Sequence, residues 1–232
     1  MINPDHHPIV IIACKVFQDY IEKFLSPDRS AAIQFLEYGL HSLPRNLKKS
    51  LQEQIDQIEQ PSLVVLGYGL CGNGLHGIRA GRHTLLLPRT DDCIALLLGS
   101  YTAYREQFDF KPGTYYLSKG WLEAGSNPLQ EHQKYIERYG VEQADWLMEQ
   151  QYKNYKRLVF VASTQEEMEQ YRPQALEVAR FCQRWGMEYE ELLGSSQYVE
   201  GLMRVAQGFQ AADSNFLVIP PGETINQSQY IR

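Results

Sequence analysis

The chain lacks three features that identify common protein classes: a long apolar run, an excess of basic residues and a closely spaced pair of cysteines. No segment approaches the roughly eighteen continuous apolar residues of a membrane-spanning helix. The net charge of −6 at pH 7 is not the basic footprint of a general nucleic-acid-binding protein. We therefore expect a globular protein that binds neither membranes nor nucleic acids.

Cysteine is also scarce, with 4 cysteines among 232 residues. A chain of this length with so few cysteines is not a disulfide-stabilised scaffold. No basic region precedes the first short apolar run, which we interpret as a strand and not as a signal peptide. The sequence therefore predicts a cytoplasmic protein whose cysteines serve as thiols, metal ligands or nucleophiles.

Short apolar runs alternate with amphipathic segments along the whole chain. This alternation favours parallel sheets joined by right-handed helical crossovers. We expect an α/β protein with two Rossmann-like lobes, and one continuous doubly wound sheet is the alternative. The predicted strands are Pro8–Ala13, Ala31–Tyr38, Leu63–Leu66, Thr84–Leu87, Thr114–Leu117, Arg157–Ala162, Glu188–Leu193 and Phe216–Ile219.

The predicted helices cover Val16–Leu25, Pro44–Ile58, Asp91–Leu98, Gln165–Trp185 and Gln197–Gln207, with two more across Leu129–Gln151. These elements suggest three regions. Residues 1–125 would form an N-terminal lobe that carries the cysteine site, residues 126–155 a helical connection, and residues 156–232 a C-terminal lobe. A small-molecule ligand would bind in the cleft between the lobes.

The most informative segment is Leu63–Gly77, in which an apolar run leads into a turn with five glycines around Cys71. Glycine lets another group come close to the backbone. We therefore expect Gly69, Gly72 and Gly74 to let backbone amides come close to a bound cofactor. The turn also matches the dinucleotide pattern GxGxxG, but no convincing helix follows it, and no acidic residue closes the next strand.

Three cysteines follow predicted strands: Cys14 the first, Cys71 the third and Cys93 the fourth. His41 follows the second strand, and Asp91 lies beside Cys93. The carboxyl ends of parallel strands share one edge of a sheet, where ligands bind. Thiolates and imidazole suit zinc, and three cysteines can hold one face of an iron–sulfur cluster. The pattern thus predicts a metal site with these five residues as candidate ligands.

The simpler interpretation is that each cysteine is a small buried apolar side chain. Cys182 lies inside the long predicted helix, and we expect it to be structural.

The chain resembles the family of uncharacterised bacterial and archaeal proteins defined as domain of unknown function 1638. The segments that carry this resemblance are Ile11–Cys14, Gly39–Pro44, Gly67–Leu75, Pro88–Ser100, Pro112–Trp121 and Ile219–Gly222. Members usually have His-Asp-Cys where this chain has Asp91-Asp92-Cys93, so Asp91 replaces a histidine as a candidate ligand. The shared motifs include Cys14, His41, Cys71 and Cys93 but not Cys182. The resemblance implies an association with corrinoid-dependent methyl transfer.

Three functional hypotheses follow. The first is a metalloprotein that binds zinc or an iron–sulfur cluster through three cysteines and activates a small molecule at an open coordination position. The second is a metal-free enzyme with Cys71 as its catalytic nucleophile and His41 as its base. The third is a non-enzymatic accessory protein that passes a metal or corrinoid to a partner protein in methyl transfer.

Overall fold

The computed structural model describes residues 8–26, 31–40 and 43–232. Its strands are β1 (Ile9–Cys14), β2 (Ala31–Leu36), β3 (Leu63–Gly67), β4 (Thr84–Pro88), β5 (Thr114–Ser118), β6 (Arg157–Ala162), β7 (Glu188–Leu193) and β8 (Phe216–Ile219). Its helices are α1 (Gln18–Phe24), α2 (Pro44–Asp56), α3 (Ile94–Leu98), α4 (Tyr101–Phe110), α5 (Lys119–Glu123), α6 (Pro128–Tyr139), α7 (Val141–Tyr152), α8 (Gln165–Cys182) and α9 (Gln197–Ala206). None of the described helices has both the length and the apolar character needed to cross a membrane.

The chain divides into two compact units. Unit 1 comprises Met1–Tyr101 and Ser196–Arg232, and unit 2 comprises Thr102–Ser195. Each unit contains its own sheet, so the expected α/β class with two lobes and parallel sheets is confirmed. The alternative of one continuous sheet is not found among the described residues.

The sheet of unit 1 has the strand order β2-β1-β3-β4-β8. The first four strands are parallel, whereas β8 pairs with β4 in the antiparallel direction. Every residue of β3 is buried, as expected of a central strand covered on both faces. Helix α2 packs its buried residues Leu47, Leu51 and Ile55 at the spacing of one helical face.

The sheet of unit 2 has the order β5-β6-β7, and all three strands are parallel. At the beginning of β6, the buried guanidinium of Arg157 donates to Glu190 at 2.7 Å and to Gln107 at 3.0 Å. Burial opposes ionisation of Glu190, but Lys111 and Arg157 together lower the pKa of that carboxyl. The charge of Arg157 is thus compensated inside the unit.

The units differ from the regions expected from the sequence. Strand β5 pairs with β6 in unit 2, and β8 returns from the end of the chain to pair with β4 in unit 1. The expected boundaries at residues 125 and 155 therefore do not coincide with the division in the structure. The physical reason is that strand pairing between distant segments decides the units, whereas the sequence pattern reports only local structure.

The glycine turn after β3 lies directly against the chain that follows β4. The N–H groups of Leu70 and Cys71 donate to the carbonyls of Thr90 and Asp91, each at 2.9 Å. A β-carbon on Gly69 would lie 2.6 Å from the carbonyl carbon of Asp92. Only glycine fits at this position without displacing backbone, and the resulting contact holds the two segments together.

We expect Gly69→Ala to destabilise the protein because the new methyl group would overlap the Asp92 backbone. The free energy of unfolding should fall by about 3 kcal/mol, at the upper end of typical overpacking costs. Gly81→Ala is the control, since Gly81 has a φ of +60° and no atom within 4 Å of an added β-carbon. Gly81→Ala should lower the free energy of unfolding by only ~1 kcal/mol. Urea denaturation measures both values, and equal losses would contradict this role of Gly69.

We also expect Glu190→Gln to destabilise unit 2 of the full chain by about 2 kcal/mol, because it leaves the Arg157 guanidinium buried without a carboxylate. The adjacent Glu191→Gln is the matched control. Its partner Arg172 is 36% exposed and can be hydrated, so the loss should stay below about 1 kcal/mol. Thermal or urea unfolding of both variants checks this order. A larger loss of unfolding free energy for Glu191→Gln than for Glu190→Gln would contradict the prediction.

Candidate functional site

Strand register brings three cysteines to the same edge of the sheet in unit 1. Strands β1 and β3 run parallel with Ala13 opposite Gly67, so Cys14 ends β1 where the glycine turn begins. Strand β4 lies on the other side of β3, and Cys93 follows it as the residue before α3. Cys14, Cys71 and Cys93 therefore lie at the carboxyl ends of three neighbouring strands.

Cys71 and Cys93 are in direct contact, with their sulfur atoms 3.3 Å apart. The contact with the Cys71 thiol, followed by burial, raises the pKa of Cys93 well above its ordinary value. Burial raises the pKa of Cys14 to about 12, and the charge of an ionised Cys93 adds to this shift. Cys14 is thus within electrostatic range of Cys93. We refer to these three residues as the thiol cluster.

Backbone amides point at two sulfurs of the thiol cluster. The N–H of Gly69 donates to Cys93, and the N–H of Val16 donates to Cys14. Each hydrogen bond lowers the pKa of its thiol, but the neighbouring thiol (for Cys93) or burial (for Cys14) raises that pKa by more. Such N–H donors stabilise thiolates and tune the metals that they bind. The fit of Gly69 against Asp92 therefore also delivers an amide to the cluster.

The other two glycines of the expected cofactor site have neighbours within the protein. A β-carbon on Gly74 would lie 2.8 Å from a methyl group of Leu47, and the N–H of Gly74 donates to the Cys71 carbonyl. Gly72 has a φ of +62° between Cys71 and Asn73, which have φ values of 48° and 69°. Non-glycine residues rarely adopt this left-handed conformation, which is found preferentially at functional sites.

Two tyrosines at the cluster were not predicted from the sequence. Tyr68 and Tyr230 are only 2% and 5% exposed, and neither hydroxyl has a hydrogen-bond partner among the described residues. Burial raises the pKa of Tyr68, and ionised Cys14, Cys93 and Cys71 raise it further. Burial likewise raises the pKa of Tyr230, with contributions from ionised Cys71 and Cys93. Both hydroxyls therefore retain their protons beside the thiols.

Tyr230 reaches the cluster because the last part of the chain folds back onto the glycine turn. We call residues 223–232 the closing segment. Its residue Ile225 exchanges backbone hydrogen bonds of 2.8 Å with Gly77 and Ile78. The Arg89 side chain donates at 2.7 Å to the carbonyl of Gln229, next to Tyr230. Tyr68 had a signal in the sequence, since it lies within the glycine motif, whereas nothing local marks Tyr230.

The remaining candidate ligands are less clearly placed. His41 lies outside the described residues. Asp91 is exposed, its carbonyl accepts the Cys71 N–H, and its charge contributes to the raised pKa of Tyr230. Within residues 8–26, 31–40 and 43–232, no group of three or more histidine, cysteine, aspartate or glutamate side chains is placed to hold a metal ion. Cys182 packs in the core of unit 2, whereas the three residues of the thiol cluster belong to unit 1.

Comparison with known protein families identifies a match. A family model described as a protein of unknown function, DUF1638, matches residues 35–203, a range that includes Cys71 and Cys93. No curated protein and no solved structure matches the chain. Because the match covers more than half of its length, the chain belongs to the DUF1638 family.

Proposed function

We propose that this protein binds a single zinc ion through Cys14, Cys71 and Cys93 and uses the open coordination position to activate a small molecule. The observation that carries the proposal is the 3.3 Å contact between the Cys71 and Cys93 sulfurs. Two thiolates bound to one tetrahedral zinc at ~2.3 Å lie about 3.8 Å apart. The pair would have to open by only about half an ångström to bind one ion.

The same distance favours a single ion over a four-iron cluster. Each cysteine of a [4Fe–4S] cluster binds a different iron atom, which keeps the sulfurs farther apart than two ligands of one ion. Cys71 and Cys93 would be the first pair of ligands, and Cys14 would join them at the edge of the sheet. The absence of a complete three-residue group among the described residues means that binding would require Cys14 to move toward the Cys71–Cys93 pair.

A three-thiolate site is open because zinc takes four ligands. The fourth position would accept a substrate or be completed by a residue such as Asp91 or His41. Activation of a small molecule at such a position is the kind of chemistry that methyl transfer requires. The proposal places the protein in the cytoplasm, where its four free cysteines would remain reduced.

Metal content tests the proposal. Full-length protein purified anaerobically from zinc-supplemented cells should contain about one equivalent of zinc, the stoichiometry of a single mononuclear site. Cys71→Ser and Cys93→Ser should each reduce this content to less than about a tenth, because serine replaces a thiolate that zinc prefers. Cys14→Ser should reduce it strongly as well. Elemental analysis of the purified variants provides the measurement.

Cys182→Ser is the matched control for the loss of a thiol, since Cys182 is buried in the other unit. Its zinc content should equal that of the unaltered protein. Unaltered protein without bound metal, or equal loss in all four variants, would refute the zinc site. A brown protein with iron and sulfide would instead indicate a cluster, because zinc compounds are colourless.

The sulfur contact also favours a second function, which needs no metal. With Cys71 as a nucleophile that attacks a substrate disulfide and releases one of its thiols, Cys93 would be the neighbouring thiol that resolves the mixed disulfide, which releases the second thiol and leaves a Cys71–Cys93 disulfide. The left-handed backbone of Cys71 agrees with such a role, since strained residues are common at active sites. The metal assay separates the two functions, because this one predicts an active protein that is free of metal.

A further inference from the structure

The contact between Cys71 and Cys93 also prepares a covalent reaction that needs no metal. Both residues are free thiols in this structure, and their sulfurs are 3.3 Å apart. Because the sulfurs of a disulfide are separated by about 2.05 Å, the gap would have to close by only ~1.3 Å. A disulfide between these two residues is therefore within reach of a small side-chain movement.

The backbone already holds the two cysteines together. The N–H of Cys71 donates to the carbonyl of Asp91 at 2.9 Å, and Gly69 lies so close to the Asp92 backbone that no β-carbon would fit. A disulfide requires that its two residues be held at a specific separation. Here that separation is fixed on both sides of the contact by the fold itself.

The surroundings of the pair favour a small oxidant. Cys71 is only 6% exposed, whereas Cys93 is partly exposed, so the pair lies just below the surface. Cys14 does not complete a three-residue group with the pair among the described residues, and Cys182 belongs to the other unit. Cys93 is therefore the preferred partner of Cys71 in a disulfide.

The two thiols would have different roles in the reaction. The contact with Cys71, followed by burial, raises the pKa of Cys93, so Cys93 keeps its proton. The thiolate is the reactive form of cysteine, and Cys71 is therefore the residue that attacks the oxidant. Cys93 is then the resolving thiol, an arrangement found in redox-sensitive proteins.

We propose that Cys71 and Cys93 are a redox-sensitive pair, which hydrogen peroxide converts to an intramolecular disulfide and a thiol reductant restores. The oxidised pair has no thiolate to offer to a metal ion or a substrate. Oxidation would thus switch off the zinc site proposed above. This consequence rests on the proposed function, whereas the disulfide itself does not.

The reaction takes place in two balanced steps. The Cys71 sulfur attacks one oxygen of hydrogen peroxide, the O–O bond breaks, and the departing hydroxide takes up the Cys71 proton, which leaves a sulfenic acid and water. The Cys93 sulfur then attacks the Cys71 sulfur. The S–S bond forms, the S–O bond breaks, and the hydroxide leaves as water with the Cys93 proton.

Counting of thiols tests the proposal. Full-length protein is reduced, freed of metal with a chelator and treated with equimolar hydrogen peroxide, and its thiols are then alkylated under denaturing conditions. Mass spectrometry should find four thiols before oxidation and two afterwards, with a peptide that links Cys71 to Cys93. Dithiothreitol should restore all four. Four remaining thiols, or a link that includes Cys14 or joins two chains, would overturn the proposal.

Serine variants check the role of each cysteine. Cys14→Ser and Cys182→Ser are the matched controls, and each should still lose two thiols. Cys71→Ser should keep its three thiols, because Cys93 holds its proton. Cys93→Ser should accumulate a sulfenic acid on Cys71, which dimedone traps, since no resolving thiol is present. A disulfide in either Cys71→Ser or Cys93→Ser would contradict the assigned pair.

Unfolding in urea shows whether the fold accepts the bond. Cys71 and Cys93 are 22 positions apart, and a disulfide between them restricts the unfolded chain. The urea midpoint of the oxidised protein should therefore rise by about 1 M, and peroxide should leave the midpoint of Cys71→Ser unchanged. A lower midpoint after oxidation would mean that the bond distorts the site, which contradicts a switch built into the fold.

Metal analysis of the reduced protein before chelation separates this inference from the zinc site. If zinc is absent but the disulfide forms, the zinc site is refuted and the redox-sensitive pair stands. If zinc is present but peroxide produces no disulfide in the metal-free protein, only the redox-sensitive pair is refuted.

Discussion

The candidate site depends on one constraint, the parallel pairing of β1, β3 and β4. Because the three strands run in the same direction, their carboxyl ends meet at one edge of the sheet. The chain continues from each end into a segment that carries a cysteine. The fit of Gly69 against the Asp92 backbone then draws two of these segments together, so that the Cys71 and Cys93 sulfurs touch.

Around this contact the protein buries polar groups that it does not fully satisfy. The thiol cluster is largely shielded from water, and the Tyr68 and Tyr230 hydroxyls have no partner in the part of the chain that the structure describes. Such an arrangement lowers stability in a protein that binds nothing, since each unmet hydrogen bond costs free energy. It is expected at a site that gains its remaining interactions from a metal ion and a ligand. These unmet hydrogen bonds thus connect the fold with the proposed zinc site.

The sequence predicted the parts of this arrangement that depend on local pattern. The continuous apolar runs located every strand that holds the cluster, and the parallel edge that brings the cysteines together followed from the alternation of strands and helices. Helix α3 begins at Ile94, later than the predicted Asp91, because the Asp92 side chain accepts the Ile94 N–H from outside the helix. The short helix α5 was not predicted, since its five residues give too little periodicity.

Features that depend on distant segments could not be predicted in this way. The antiparallel return of β8 to β4 assigns the end of the chain to unit 1, and no local pattern encodes that pairing. The same return carries Tyr230 to the cluster. Single residues show the same limit of prediction. The number of glycines indicated that another group comes close to the backbone, but at Gly69 this group is the protein's own backbone at Asp92.

The central claim is that three sulfurs of this chain bind one metal ion. X-ray absorption spectroscopy at the zinc edge tests it most directly, because it counts the sulfur neighbours of the metal and measures their distance. The account predicts three sulfur ligands at ~2.3 Å and one lighter ligand per zinc. A zinc ion surrounded only by nitrogen and oxygen, or by a single sulfur, would contradict it.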